Sequence, residues 1–345
     1  MRFLLCVALG FILGLASISS AGSPQDLGRE PALRENFYGV KIRGQRVWIV
    51  GYYGTILCSD DRGASWRIQP AETKEALFRV GFSSDKKGWI VGAYGTLLGT
   101  DDGGQGWKLL QSKTKEHLLG LAFLDETTGW VVGSGGTILH TQDGGLSWTN
   151  QSLGEDIILN SVAFVSPDRG WVVGEFGVIY QTKNGGKSWI KQKSPIEVSF
   201  ASGESRNLFA LLFLDAQDGW TLGLDGVILK TTRNAEQWEI ARQQSLASNA
   251  TKENHLFSAT QWNGALWAVG ERGTVLHLEK NSGEWRKRKL RAPPLSLNDI
   301  DFVADGFGLI VGNRGLVLRT EDGGKQWHPL PVLLQGNRPA TNQVR

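Results

Sequence analysis

Cysteine is scarce in this chain, with two in 345 residues. Cys6 sits in the N-terminal apolar stretch. Removal of that stretch leaves Cys58 alone, so no intramolecular disulfide can form even in an oxidising compartment. Cys58 reads as a buried strand residue and not as a reactive thiol. Its counterparts elsewhere in the chain are Gly99, His140, Gln181, Lys230, His277 and Arg319, which share no chemistry. Histidine is almost as rare, and His117, His140, His255, His277 and His328 show no close ligand spacing, so no metal site is expected. A formal charge of only +3 gives no general case for nucleic acid or a membrane surface. There is no nucleophile elbow and no phosphate loop. Glycine-rich pieces such as residues 133–136 match hairpin turns, and no cofactor is called for.

Long apolar runs are missing too. The best, from Phe3 to Ile18, is short and broken by Gly and Ser, a poor membrane span. Arg2 precedes it, and Ser19-Ser20-Ala21 follows with small residues where a signal peptidase needs them. Residues 1–21 therefore read as a secretory signal cleaved after Ala21. The mature chain is expected to be extracytoplasmic, periplasmic or secreted, with no direct membrane span.

Tryptophan and glycine are abundant, and both are periodic. An opening position recurs at Trp48, Trp89, Trp130, Trp171, Trp220, Trp267 and Leu309. A closing Trp follows 18 residues later each time, at 66, 107, 148, 189, 238, 285 and 327. A period of 41 to 49 residues is the signature of stacked repeats. Within one period, for example 118–153, four short apolar segments are separated by tight Gly-rich turns. That is the pattern of one propeller blade. The expected fold is all-β: a seven-bladed propeller of four-stranded antiparallel blades over residues 36–331. It has an N-terminal segment at 22–35, which could add an outer strand, and a C-terminal tail at 332–345. Small residues in the first strands (Gly39, Gly81, Gly120, Ala122, Ser161, Ala163, Ala210, Ser258) suit strands crowded towards an axis. No strand is left over to complete the last blade across the termini. Polar insertions at 190–207 and 239–255 read as surface loops.

Before the closing Trp runs a second motif: SDDRGASW at 59–66, TDDGGQGW at 100–107, TQDGGLSW at 141–148, TKNGGKSW at 182–189 and TEDGGKQW at 320–327. It resembles the Asp-box of BNR-repeat proteins. Asp61, Asp102, Asp143, Asn184 and Asp322 hold its acidic position, where a short side chain can accept N–H bonds from its own hairpin. Residues that recur around a ring cannot converge on one catalytic or Ca²⁺ site, so these read as structural. Blades 5 and 6 lack the box, with Arg233 and Lys280 in place of Asp.

Seven copies of this phrasing resemble the photosystem II stability/assembly factor family of BNR-type propellers. That resemblance implies a non-enzymatic extracytoplasmic propeller that binds a protein partner and helps a membrane protein complex assemble. The alternative is an Asp-box glycoside hydrolase, sialidase-like or glucanase-like. It is disfavoured because none of Tyr38, Tyr52, Tyr53, Tyr94 and Tyr180 carries the signature of a Tyr nucleophile, and only one propeller is present.

Function must lie where the repeats differ, and the turn between the second and third strands differs most. Tyr52, Tyr53 and Tyr94 occupy it in blades 1 and 2, Phe176 in blade 4, Arg272 and Arg314 in blades 6 and 7. Beside the Arg turns runs Arg286-Lys287-Arg288-Lys289-Leu290-Arg291, either a charged edge strand that discourages aggregation or a docking patch for acidic protein segments. These residues form the expected partner-binding face of a monomer. The partner is a membrane protein or its extracytoplasmic segment, not nucleic acid.

Overall fold

A computed structural model describes residues 35–199, 201, 206–232, 235–242, 254–280 and 282–334. The signal, most of the 22–35 segment and the tail beyond 334 lie outside these residues, as do Arg233 and parts of both insertions. Seven four-stranded antiparallel sheets span 37–69, 77–109, 118–150, 159–192, 208–242, 256–287 and 297–329. The first strand of each sheet packs on that of the next, and the last packs on the first, so the sheets close a ring. No helix among the described residues is long and apolar enough to cross a membrane.

Aromatic residues bind the blades together. Five opening Trp residues pack against a Phe that ends the inner strand of the following blade, three of them flat and Trp48 and Trp267 tilted at 38° and 42°. Trp89 stacks on Phe123 at 3.4 Å and 5°, Trp130 on Phe164 at 3.5 Å and 9°, and Trp171 on Phe213 at 4.1 Å and 24°. The closing Trp of the Phe's own blade meets that ring edge-on, as Trp148 meets Phe123 at 86°. Such pairs add about 0.5–1.5 kcal/mol each beyond their area burial. The glycine before the opening Trp makes room for the ring: a Cβ at Gly88, Gly129, Gly170, Gly219 or Gly308 would run into the Phe of its own blade. Blade 6 has Gln261 instead of Phe, and there Trp220 meets Trp285 at 5.8 Å and 74° instead.

The Asp-boxes are turn locks. Asp143 accepts the Ser147 N–H at 2.9 Å and the Thr141 and Ser147 hydroxyls, while the Thr141 hydroxyl accepts the Gly145 N–H. Asp61, Asp102, Asn184 and Asp322 repeat the arrangement. The boxes also join blades, since the opening Trp48 and Trp89 donate their indole N–H to Gly104 and Gly144 in the next blade's box. His140 and His277 pack on Trp130 and Trp267. Cys58 is buried, and burial pushes its thiol up to about 11.

Among the described residues ring closure uses no exchanged strand beyond an isolated parallel bridge between Trp66 and Leu334. Glu35 O accepts the N–H of Gly315 in blade 7, and Leu333 O accepts that of Trp66 in blade 1. Between them, Asp299 and Asp301 accept the Val40 and Ile42 N–H groups at 3.0 and 2.8 Å.

The small residues of the inner strands do not face the axis. Gly39 and Gly120 lie against the backbone of the next inner strand, where a Cβ would meet Phe78 O or Asn160 O at 3.0 Å. They let neighbouring strands approach. The axis itself is lined by larger residues.

Candidate binding face

The turns between second and third strands share one geometry. In all seven, a residue at φ between 50° and 61° precedes a Gly at φ between 62° and 75°, and an i→i+3 hydrogen bond of 3.0–3.2 Å closes the turn. This is a type I′ hairpin, which wants Asn or Gly at its first central position. Here that position holds Tyr53, Tyr94, Gly135, Phe176, Asp225, Arg272 and Arg314. Placing bulky side chains in the left-handed region costs about 1 kcal/mol each. The next blade steadies several of them. His117 Nδ1 accepts the Tyr94 N–H at 3.2 Å, His255 Nδ1 that of Asp225 at 3.1 Å, and Asn36 Oδ1 that of Arg314 at 3.0 Å. Burial holds the His117 pKa below its usual value, matching a ring that accepts at Nδ1.

These turns share a face with the blade-to-blade connections. Gly54, Gly95, Gly136, Gly273 and Gly315 each donate N–H to a connecting carbonyl. The Asp-boxes lie on the other face, where their turns bond to the loops between first and second strands. The candidate residues of the turns thus lie on the face opposite the Asp-boxes. Tyr53 is 57% exposed, Tyr94 64% and the Arg272 side chain 74%. Arg314 and Tyr52 are exposed, whereas Phe176 is half-buried in the core between blades 3 and 4. Blades 6, 7, 1 and 2 are consecutive in the ring, so Arg272, Arg314, Tyr53 and Tyr94 form one arc, basic then aromatic.

The basic run is less unified than its sequence suggests. Arg286 pairs with His277 across the sheet and Lys287 with Leu276, so the two side chains lie on opposite faces of the outer strand. Arg288 is half-buried, with Nη2 on His277 Nε2 at 3.0 Å. Lys289 and Arg291 are exposed on the connection leading towards the funnel face.

At the centre of this face lies a cavity. Every inner strand carries a β-bulge after its first residue, and the bulged residue turns to the axis: Tyr38, Phe78, Leu119, Asn160, Phe209, Phe257 and Asn298. Bulges re-aim side chains in this way. Sequence reasoning missed this ring, whose seven positions hold Tyr, Phe, Leu and Asn and share no residue type. Arg79 crosses the axis below it, with Nη1 on Asp299 Oδ1 at 3.0 Å and Nη2 near Phe257 O.

The family profile described as photosynthesis system II assembly factor YCF48 matches residues 33–101, 64–114 and 103–198, which run through the first four blades. Over that stretch the repeats match the photosystem II assembly factor-like family. Among solved structures, this propeller is similar to "YCF48 bound to D1 peptide", with TM-score 0.64, 19% identity, and coverage of 84% of this chain and 93% of that one. It is similar in the same degree, TM-score 0.64 and 19% identity, to YCF48 from Cyanidioschyzon merolae, over 85% of this chain and 97% of that one. An ancestral GH74 enzyme aligns at TM-score 0.68 and 13% identity, over 88% of this chain and 47% of the enzyme. At these identities the structures share the fold alone. No curated protein matches the sequence significantly.

Among the described residues of the propeller, no group of three or more His, Cys, Asp or Glu is placed to hold a metal. One Tyr–Glu pair exists, Tyr180 Oη at 2.9 Å from Glu155 Oε1. It sits on a third strand, in the core between blades 3 and 4, and burial and the carboxylate push the phenol pKa up.

Proposed function

We propose that this chain is a non-catalytic, extracytoplasmic propeller that binds a protein partner on its funnel face and acts as a scaffold or assembly factor for a membrane protein complex. The observation that carries the reading is the arc of Arg272, Arg314, Tyr53 and Tyr94. Four exposed side chains are held on rigid turns at the cost of left-handed backbone, on one face, in consecutive blades. Arg gives bidentate contacts to carboxylates and Tyr supplies contact area at low entropic cost, so the partner is an acidic segment exposed by a membrane protein. That one member of the same family is a propeller bound to a D1 peptide supports a peptide-like ligand. The Tyr180–Glu155 pair does not favour the glycosidase alternative, because a nucleophilic phenol needs its pKa lowered and a place at the axis.

The test is capture of a partner from detergent extracts of the host's membranes by the mature propeller. Glycoside turnover that survives purification and disappears when a funnel carboxylate is replaced would overturn the scaffold reading. For the location, N-terminal sequencing of the native protein should find Gly22 first. Met1 retained in a membrane fraction would replace cleavage with an anchor.

A further inference from the structure

The axial ring of bulged residues is not symmetric, and its order makes a slot. Tyr38 and Phe78 stand on adjacent blades 5.9 Å apart, centroid to centroid, and Phe209 and Phe257 stand 5.6 Å apart on blades 5 and 6 across the axis. Asn298 of blade 7 fills one gap between these pairs, and Leu119 and Asn160 of blades 3 and 4 fill the other. Arg79 crosses underneath, its charge already paired with Asp299. The slot therefore has two aromatic walls, a neutralised guanidinium beneath and an amide on each side, with Leu119 beside Asn160 and the polar His117, Glu175 and Asn207 at its rim.

Both amides have a fixed orientation. Asn160 donates Nδ2 to Leu208 O at 2.8 Å, and Asn298 donates Nδ2 to Phe37 O and Asn313 Oδ1 at 2.7 and 2.8 Å. Each must then present Oδ1 as an acceptor, and among the described residues neither Oδ1 has a hydrogen-bond partner. The cavity holds about 170 Å³. A cavity of about 150 Å³ with apolar walls takes benzene, whereas drug-sized ligands need roughly 300 Å³ or more. The space matches one ring.

The geometry points to a specificity pocket for a single tyrosine side chain of the partner segment. The phenol ring lies between the aromatic pairs and its hydroxyl donates to Asn160 or Asn298 Oδ1. The inference rests on the protein-binding reading above and adds an anchor to its charged arc. A buried aromatic anchor inside a polar rim is the usual layout of a binding hot spot.

The test uses the side-chain analogues p-cresol and toluene with the full mature chain, read by saturation-transfer NMR and titration calorimetry. p-Cresol should bind, and more tightly than toluene by about threefold or more, the worth of one hydrogen bond. The double variant N160L/N298L should erase that preference and keep toluene binding. Leu119→Trp should fill the slot and abolish both. If Leu119→Trp does not fold, the leucine pair still decides the matter. No p-cresol signal at millimolar concentration, or a preference that survives N160L/N298L, would overturn the pocket. The two readings fail separately: p-cresol silent while partner capture persists sinks the pocket alone, and p-cresol bound while no partner is captured sinks the docking reading.

Discussion

At the residue scale the Asp-box was the most legible part of the sequence. Its bonds run between residues at most four apart, so a local motif contains the whole arrangement. The same locality gives it a pH signature. The Ser147 hydroxyl and N–H, with the Thr141 hydroxyl, hold Asp143 down to about 2 from an ordinary 3.8. The pKa values of Asp61, Asp102 and Asp322 are lowered too, their hydrogen bonds outweighing partial burial. A carboxylate with a lower pKa when folded adds stability that is complete above its unfolded value and is lost as pH falls through the folded one. Melting temperature should therefore drop between about pH 4 and pH 2, and Asp143→Asn should show a shallower drop than the parent. A flat parent curve across that window would refute the lock. Asp102→Ala, which strands the Gln105 and Gly106 N–H groups, should cost about 1–2 kcal/mol in denaturant titration. The basic run illustrates the opposite case. Arg286 and Lys287 are neighbours in sequence, yet strand alternation sends them to different faces, and only the sheet register reveals it.

At the element scale, strand positions followed from periodicity almost residue for residue. The six-residue inner strands Leu77–Phe82, Leu118–Phe123 and Leu159–Phe164 lie where the apolar segments predicted them. What periodicity hid was the bulge. One extra residue per inner strand changes which face each side chain meets, so the small residues meet the neighbouring blade and the large ones reach the axis. Nothing in a two-residue alternation signals that shift. The Phe that packs on an opening Trp was equally hidden, because it lies in another repeat, as with Trp89 and Phe123. Phe123→Ala should destabilise by up to about 3 kcal/mol, below the roughly 3–5 kcal/mol of a fully buried aromatic because the ring is only partly buried. Gly129→Ala should cost about 1–3 kcal/mol, because its methyl group displaces the Phe123 ring. Equal stability of Gly129→Ala and the parent in urea would show that the ring has other room.

At the scale of the whole molecule, sequence announced a seven-bladed ring but not what closes it. Closure rests on Asp299 and Asp301 reaching the inner strand of blade 1, and on Arg62 pairing with Asp305 between blades 1 and 7. Arg62 is therefore no neutral control for surface charge, although it lies on the Asp-box face. Lys187 and Lys325, exposed on that face in blades 4 and 7, serve better. If the funnel face is the docking surface, Arg272→Glu with Arg314→Glu should weaken partner binding by well over tenfold, since two attractions become repulsions. Folding should survive, because exposed substitutions of this kind usually change stability by less than about 0.5 kcal/mol. Lys187→Glu with Lys325→Glu changes net charge by the same amount and should leave the affinity within about twofold of the parent. Raising salt should weaken the parent complex more than that of the Arg272→Glu/Arg314→Glu variant, because screening acts on charge pairs that the variant no longer has. If both double variants bind alike, net charge and not the arc sets the affinity. Binding that neither salt nor the Arg pair alters would move the docking site to Tyr53 and Tyr94.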